Sequence, residues 1–368
     1  MLSARAGLHR YEEIACEIRA SIERGAYGID GRLPSERWFG RSFQAHRNTV
    51  RQALALLEAE GRINSVGKSG WFVPDTKPIK TIANSRVMLA TFRRPSGPSI
   101  ESVAMGLDEV FEPLQVQTLR YDSAGPRDTE HIATVEQLTT VDAGGIVMWP
   151  HSSVDSSLLN RLQATGNLVM VDRGVFGFSA DCVMFDDFGA GHTITEHLIA
   201  NGHTNIAFFG DEPFAESVQN RWHGYRSALE SAGMIASEEL TVLVNGRAEP
   251  YFSESVRLLL RERPHRPTAL ICSNDTVASA ILIILRSMGL RVPDDLAIAG
   301  FGNDASGYLD VIGLTTMSQP FIEMGRAAAR LVLERMSTPA SKREKVYKKI
   351  LIPMNLVVRQ SSGAHKSS

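Results

Sequence analysis

The chain has 368 residues, 43% of them hydrophobic and 22% charged, a composition of ordinary globular protein with material for two or more cores. Its formal net charge of -2 describes only an average and does not exclude nucleic acid, because DNA meets one local face. The opening Met1-Leu2-Ser3-Ala4-Arg5-Ala6-Gly7 has no apolar run of signal-peptide length. The longest apolar stretch, Val277 to Leu285, is too short to cross a bilayer, so a cytoplasmic protein without membrane contact is expected.

From Leu8 to Arg24 the apolar positions Leu8, Tyr11, Ile14, Ala15, Ile18 and Ile22 recur at helical spacing, with Gly25 as a stop. Ser35 in Leu33-Pro34-Ser35-Glu36 can cap a second helix ending near Phe43, and Glu36 suits its positive end. A third helix starts near Arg47, places Val50, Ala53, Leu54 and Leu57 on one face and ends at Glu60-Gly61. Ile63-Asn64-Ser65 and Trp71-Phe72-Val73 read as two short strands around a glycine-rich basic tip, the geometry of a wing. These elements define a compact head over residues 1–75, followed by a polar, proline-containing linker over 76–85.

Beyond the linker, short apolar runs at Val87–Ala90, Gly145–Met148, Leu168–Val171, Ile206–Phe209, Ala269–Cys272 and Leu296–Ala299 alternate with helical patterns. That alternation predicts an α/β fold of parallel, doubly wound sheets, and the segment 86–360 exceeds one comfortable core, so two lobes with a cleft are expected. Residues 361–368 read as a disordered tail. Cys16, Cys182 and Cys272 lack the paired spacing of a zinc site or disulfide framework. No nucleophile with its base, metal cluster or phosphate-cradling loop is visible, and Gly300-x-Gly302 lacks a third glycine. Neither an enzyme nor a cofactor or metal is expected.

Residues 37–51 carry Arg37, Arg41, Arg47 and Arg51 without Asp or Glu. Arg47 and Arg51 share one helical face while Val50 and Leu54 point inward, as a helix entering the major groove requires. A solvated basic face would explain the pair alone, but not its coincidence with three helices and a wing. Over residues 8–74 the chain resembles the winged helix-turn-helix of the GntR family through LPSER at Leu33–Arg37, RNTVRQAL at Arg47–Leu54, LEAEGRI at Leu57–Ile63 and GKSGWFV at Gly67–Val73. The resemblance implies that Arg37 grips phosphate, that Arg47, Asn48, Thr49 and Arg51 meet phosphates and base edges, and that Gly67 and Lys68 enter the minor groove. His46 stands where the family usually has Ser or Thr, which predicts a poorer helix cap.

Residues 86–358 resemble the effector domain of the LacI family, built like a periplasmic sugar-binding protein, and the fusion resembles the arabinose-repressor architecture. The landmarks are VMVDRGV at Val169–Val175, HLIANGHTNIAFFGD at His197–Asp211, RWHGYRSALESAGM at Arg221–Met234, ALICSNDTVA at Ala269–Ala278, VPDDLAIAGFGND at Val292–Asp304 and LTTMSQP at Leu314–Pro320. By position, Asp172, Arg221 and Asn274 become polar effector ligands, Phe185 an aromatic wall and Gln319 a residue of the lobe crossover. Bland alternatives stand beside these: an Asp172–Arg173 ion pair, an Asn274 helix cap, an arginine in a packed helix, and His197 and His203 as packing and turn residues. Gly302 replaces the first carboxylate of the relatives' GFDD motif, which predicts a roomier, less acidic pocket and favours a sugar acid beside Arg221. The resemblances together imply a repressor, working as a homodimer on a palindromic operator and controlled by a sugar-like effector. A ligand-dependent activator, a corepressor-type regulator with a non-sugar effector and a sugar-binding protein without DNA function are the alternatives.

Overall fold

A computed structural model describes residues 9–23, 33–65, 70–73, 85–92, 99–123, 136, 138, 140–150, 154, 156–165, 167–175, 177–261, 266–303, 313–338 and 346–363. The head contains α1 (Arg10–Glu23), α2 (Glu36–Ser42) and α3 (Arg47–Ala59), then β1 (Asn64–Ser65) paired antiparallel with β2 (Trp71–Phe72). Ile14 and Ile18 of α1 meet Phe39 of α2 and Val50, Leu54 and Leu57 of α3 in one buried cluster. The ends are fastened by polar groups: Ser35 Oγ accepts from Trp38 N at 3.2 Å, and Leu33 N donates to Trp71 O at 2.8 Å. Arg19 joins α1 to Glu60 beyond α3 through a bidentate pair. His46 does cap α3, with Nδ1 accepting from Asn48 N at 3.3 Å, so the poorer cap expected from its type is still made. An imidazole nitrogen supplies the acceptor that a hydroxyl otherwise would.

The first lobe is built on β3 (Arg86–Phe92), α4 (Ser99–Phe111), β4 (Gln117–Ser123), β5 (Gly145–Trp149), α5 (Ser156–Thr165), β6 (Leu168–Val171) and β7 (Asp181–Phe185). The second comprises α6 (Asp187–Ala200), β8 (Ile206–Gly210), α7 (Glu216–Ser231), β9 (Thr241–Leu243), α8 (Tyr251–Leu259), β10 (Ala269–Cys272), α9 (Asp275–Ser287), β11 (Ala297–Gly302) and β12 (Thr315–Ser318). The chain then returns through α10 (Phe321–Ser337) and β13 (Lys349–Ile352) to the first lobe and closes with β14 (Asn355–Val357) in the second. The sheets run β13-β7-β6-β5-β3-β4, all parallel, and β14-β12-β11-β10-β8-β9, parallel except for β14. The lobes are thus joined at Asp186, at Gln319-Pro320 and at Pro353-Met354.

Alternation along the strands explains why both sheet faces are covered. Val147, Val169 and Val183 face α4 and α10, whereas Met148, Met170 and Cys182 face the side that carries α5. In the second lobe Phe208 and Ile271 face α6 and α7, whereas Phe209 and Leu270 face α8 and α9. The two helix pairs cross through glycines. A Cβ on Gly325 of α10 would fall 2.1 Å from the carbonyl oxygen of Val103 in α4, and one on Gly191 of α6 would fall 2.2 Å from that of Arg221 in α7.

The disordered tail expected from residue 361 onward is corrected at its start. Ser361 and Ser362 are buried, Ser361 Oγ donates to Ile298 O at 2.7 Å, and His197 Nε2 lies 2.8 Å from Ser362 Oγ. His203 reaches Thr268 Oγ1 at 3.1 Å and Gly363 O at 3.0 Å, so both histidines pin this segment rather than line a site. Cys182 and Cys272 are buried and Cys16 is exposed, all three as free thiols. Gly325→Val is expected to lower stability by about 1–3 kcal/mol through overpacking at the α4–α10 crossing, measured as a shift of the urea midpoint; an unchanged midpoint would show that the crossing yields freely.

Candidate functional site

On the head, Arg37, Asn48, Arg47 and Arg51 are exposed and Thr49 is half-buried, all on α2 and the N-terminal half of α3. Glu36 organises them: its carboxylate accepts from Arg47 Nε at 2.7 Å and from Arg51 Nε at 3.0 Å. Burial works against ionising Glu36, but the hydrogen bonds from Arg47 and Arg51 outweigh it and hold the carboxyl below its ordinary value. Only one nitrogen of each guanidinium is taken in these bonds, so the terminal forks stay open to solvent. The sequence assigned Glu36 to the positive end of α2; its second task, clamping two arginines of α3, needs the α2–α3 angle and is invisible in the spacing. Gly67 and Lys68 lie outside the described residues.

Between the lobes, the parallel strands aim their C-terminal ends at one another. Asp172 follows β6 in the left-handed region, φ 70°, and its Oδ2 accepts from Trp149 Nε1 at 3.0 Å and Arg173 Nε at 3.1 Å. Arg221, on the inner face of α7, is 6% exposed; its Nε donates to Asp187 Oδ1 at 2.7 Å, its Nη1 to Ser273 O at 2.6 Å, and its guanidinium lies 4.7 Å above the Phe301 ring. Asn274 uses Oδ1 to cap α9 at Val277 N, 2.8 Å away, and Nδ2 to reach Asp211 Oδ1 at 3.2 Å. Gln319 lies half-buried at the crossover, its backbone N donating to Gly302 O at 3.3 Å.

Four of the five sequence candidates therefore gather at the lobe junction. Phe185 departs from its expected role: at 2% exposure it packs edge-on to Phe321, 5.2 Å between centroids, and supports the Phe321–Trp149 contact rather than forming an open wall. The ion-pair reading of Asp172–Arg173 and the cap reading of Asn274 both hold as geometry, and each leaves further polar capacity. The room expected at Gly302 is not there. A Cβ at Gly302 would lie 3.3 Å from Asp275 Oδ2, and Asp275 is itself held by Asn303 N and Thr316 Oγ1, both at 2.7 Å. Nor is Arg221 an unmatched cation awaiting a sugar acid, because Asp187 already balances it. Asp187 and Asp211 were missed: Asp186 caps α6 at Gly189 N, 2.9 Å away, and Asp187 behind it meets Arg221 only across two helices.

Burial pushes the Asp187 carboxyl up to about 6, with Arg221 opposing the rise and Asp172 and Asp186 adding to it. The sign follows from a folded value above the unfolded one: stability is fully present below about pH 4 and is lost as pH rises through about 6. Asp187→Asn is expected to remove that part of the slope, seen as a flatter dependence of the urea midpoint between those values than in the parent protein.

Comparison with known proteins agrees with this architecture. Residues 10–73 match the family model described as bacterial regulatory proteins, gntR family, and residues 195–362 match the periplasmic binding protein-like domain. The arabinose metabolism transcriptional repressor of Geobacillus stearothermophilus is 28% identical over 338 residues, 89% of this chain and 91% of that protein. The HTH-type transcriptional regulator DegA of Bacillus subtilis (strain 168) is 36% identical over 276 residues, covering 73% of this chain and 78% of DegA. A crystal structure of a LacI family transcriptional regulator from Enterococcus faecium, with bound ribose, is 24% identical at a TM-score of 0.61, over 76% of this chain and 100% of that one. The structure titled transcriptional regulator CelR-cellobiose complex is 21% identical at a TM-score of 0.63, over 89% of this chain and 100% of that chain. A winged helix-turn-helix followed by a two-lobed receptor domain is the class of molecule these features define. The chain belongs to the bacterial HTH-type transcription regulators with a GntR-type head and a LacI-like, periplasmic-binding-protein-like effector domain.

Proposed function

We propose that the protein is a repressor of carbohydrate metabolism whose head, residues 1–75, is joined by a linker at 76–85 to an effector-binding and dimerisation domain over 86–360. The observation that carries the DNA-binding half is the clamp of Arg47 and Arg51 by Glu36, which fixes two cationic forks four residues apart on an exposed helix face. Arg37, Asn48, Thr49, Gly67 and Lys68 complete the contact surface, arginine forks suiting phosphate and guanine edges. The protein works in the cytoplasm as a homodimer, two heads meeting the halves of a roughly palindromic operator. Among the described residues no helix is long and apolar enough to cross a membrane.

Asp172, Arg221, Asn274 and Gln319 hold the effector, with Phe185 behind them. The balanced Arg221–Asp187 and Arg173–Asp172 pairs favour a neutral polyhydroxylated molecule, since paired charges still offer directed donors and acceptors to hydroxyls. The named relatives support the same reading: one is a repressor of arabinose metabolism, and two structures carry ribose and cellobiose.

Selection from a random duplex pool by the full chain is expected to enrich one palindrome. On that palindrome Arg47→Ala and Arg51→Ala each weaken binding roughly tenfold to a hundredfold. Glu36→Gln is expected to weaken the selected site while leaving binding to random duplex equal or stronger; equal loss on both would reduce Glu36 to a fold-stabilising residue. In a melting-temperature panel of pentoses, hexoses, polyols and sugar acids, a neutral sugar should raise the transition, by about 2.7 kcal/mol at a hundred times its dissociation constant. Arg221→Ala should abolish that rise, and a response confined to sugar acids would overturn the neutral-ligand reading.

A further inference from the structure

The side chains of α2 point in three directions. Phe39 enters the core of the head, Glu36 turns to Arg47 and Arg51 of α3, and Arg37, Trp38 and Arg41 are exposed. Arg37 and Arg41 stand one turn apart on one face, about 6 Å along the axis, with Trp38 beside them. Elsewhere in the head Arg10 pairs with Glu13, Arg19 with Glu60, and Arg47 and Arg51 with Glu36. Arg37 and Arg41 meet no carboxylate among the described residues. Trp38 is 52% exposed; its ring leans edge-on against Phe39, 5.4 Å between centroids, and its Nε1–H donates to no acceptor among the described residues.

We propose that this face of α2 lies along the sugar–phosphate backbone bordering the groove that α3 enters, and that Trp38 and Arg41 are DNA contacts in addition to Arg37. The proposal rests on the DNA-binding reading above and extends that surface by one continuous step, since Glu36 ties α2 to the two arginines of α3. Charge complementarity selects the occupant. Like charges four residues apart cost a helix stability until an anion lies across them, and a phosphodiester strand supplies repeated anions at that scale. The Arg41 fork suits one phosphate, the indole Nε1–H suits a neighbouring phosphate oxygen, and the indole ring suits the apolar deoxyribose between them. Such contacts hold the head in register without reading bases, so they strengthen every duplex by the same factor. That separates Trp38 and Arg41 from Arg47 and Arg51, whose loss falls on the selected sequence.

The test compares the full-length protein on the palindrome that it selects and on a random duplex of equal length. Arg41→Gln is expected to weaken both by the same factor, roughly threefold to tenfold, and to reduce the slope of log affinity against log salt by about 1. Trp38→Ala should weaken both alike, and Trp38→Phe, which keeps a ring and loses the donor, should weaken both by less and leave the slope unchanged. Trp38 and Arg41 are exposed, so the urea midpoints should stay at the parent value. An unchanged slope in Arg41→Gln, or parental affinity in Trp38→Ala, with Arg47→Ala still weakening the palindrome, would overturn the proposal and leave this face to a protein partner. A loss confined to the palindrome would overturn it as well, by making the residue a reader of bases. No effect of Arg47→Ala on the palindrome would remove the reading of α3 itself, and the proposal with it.

Discussion

The chain's threefold passage between lobes is the constraint from which most of the receptor's features follow. Each lobe borrows its last strand from beyond the other: β13 completes the first sheet after the second has been laid down, and β14 completes the second after that. The connections at Asp186, Gln319-Pro320 and Pro353-Met354 therefore lie together beside β7 and β12. Such an arrangement makes the junction the place where ligand free energy can be converted into a change of lobe separation, provided the two separations bind ligand differently.

Burial at that junction decides which side chains can act there. Arg221 would be an untenable isolated charge at its depth, and Asp187 makes it tolerable, although the same burial pushes the Asp187 carboxyl up against the pull of Arg221. The Gly191–Gly224 crossing brings α6 close enough to α7 for the pair to form, so two residues without side chains determine the placement of two with charged ones. In the head the same economy operates at the surface, where one carboxylate on α2 sets the direction of two arginines on α3.

Much of the architecture was legible in the sequence because burial on both faces leaves strong runs. β3, β5, β6, β8, β10 and β11 coincide with the six apolar segments, and the three helices of the head end within a residue or two of their expected limits. Besides β7 and β9, four strands escaped notice, and these have physical reasons for doing so. β4, Gln117–Ser123, is a polar edge strand; β12, Thr315–Ser318, hides buried hydroxyls that bond to Asp275 and Ser362; β13 and β14 are short and half exposed. The site was legible as residue types and not as partnerships. Arg221, Asp172 and Asn274 could be picked out, but that Asp187 neutralises the first and that Phe185 sits under a ring rather than beside a ligand depends on contacts across elements remote in the chain.

The borrowed strands also impose an order on biosynthesis. A ribosome emits a head that is complete by residue 73, whereas the first lobe lacks its edge until residue 352 and the second until residue 357. Domains that finish early fold early. A translation product cut short anywhere in the long interval between carries a finished head on a receptor that lacks the last strand of each sheet.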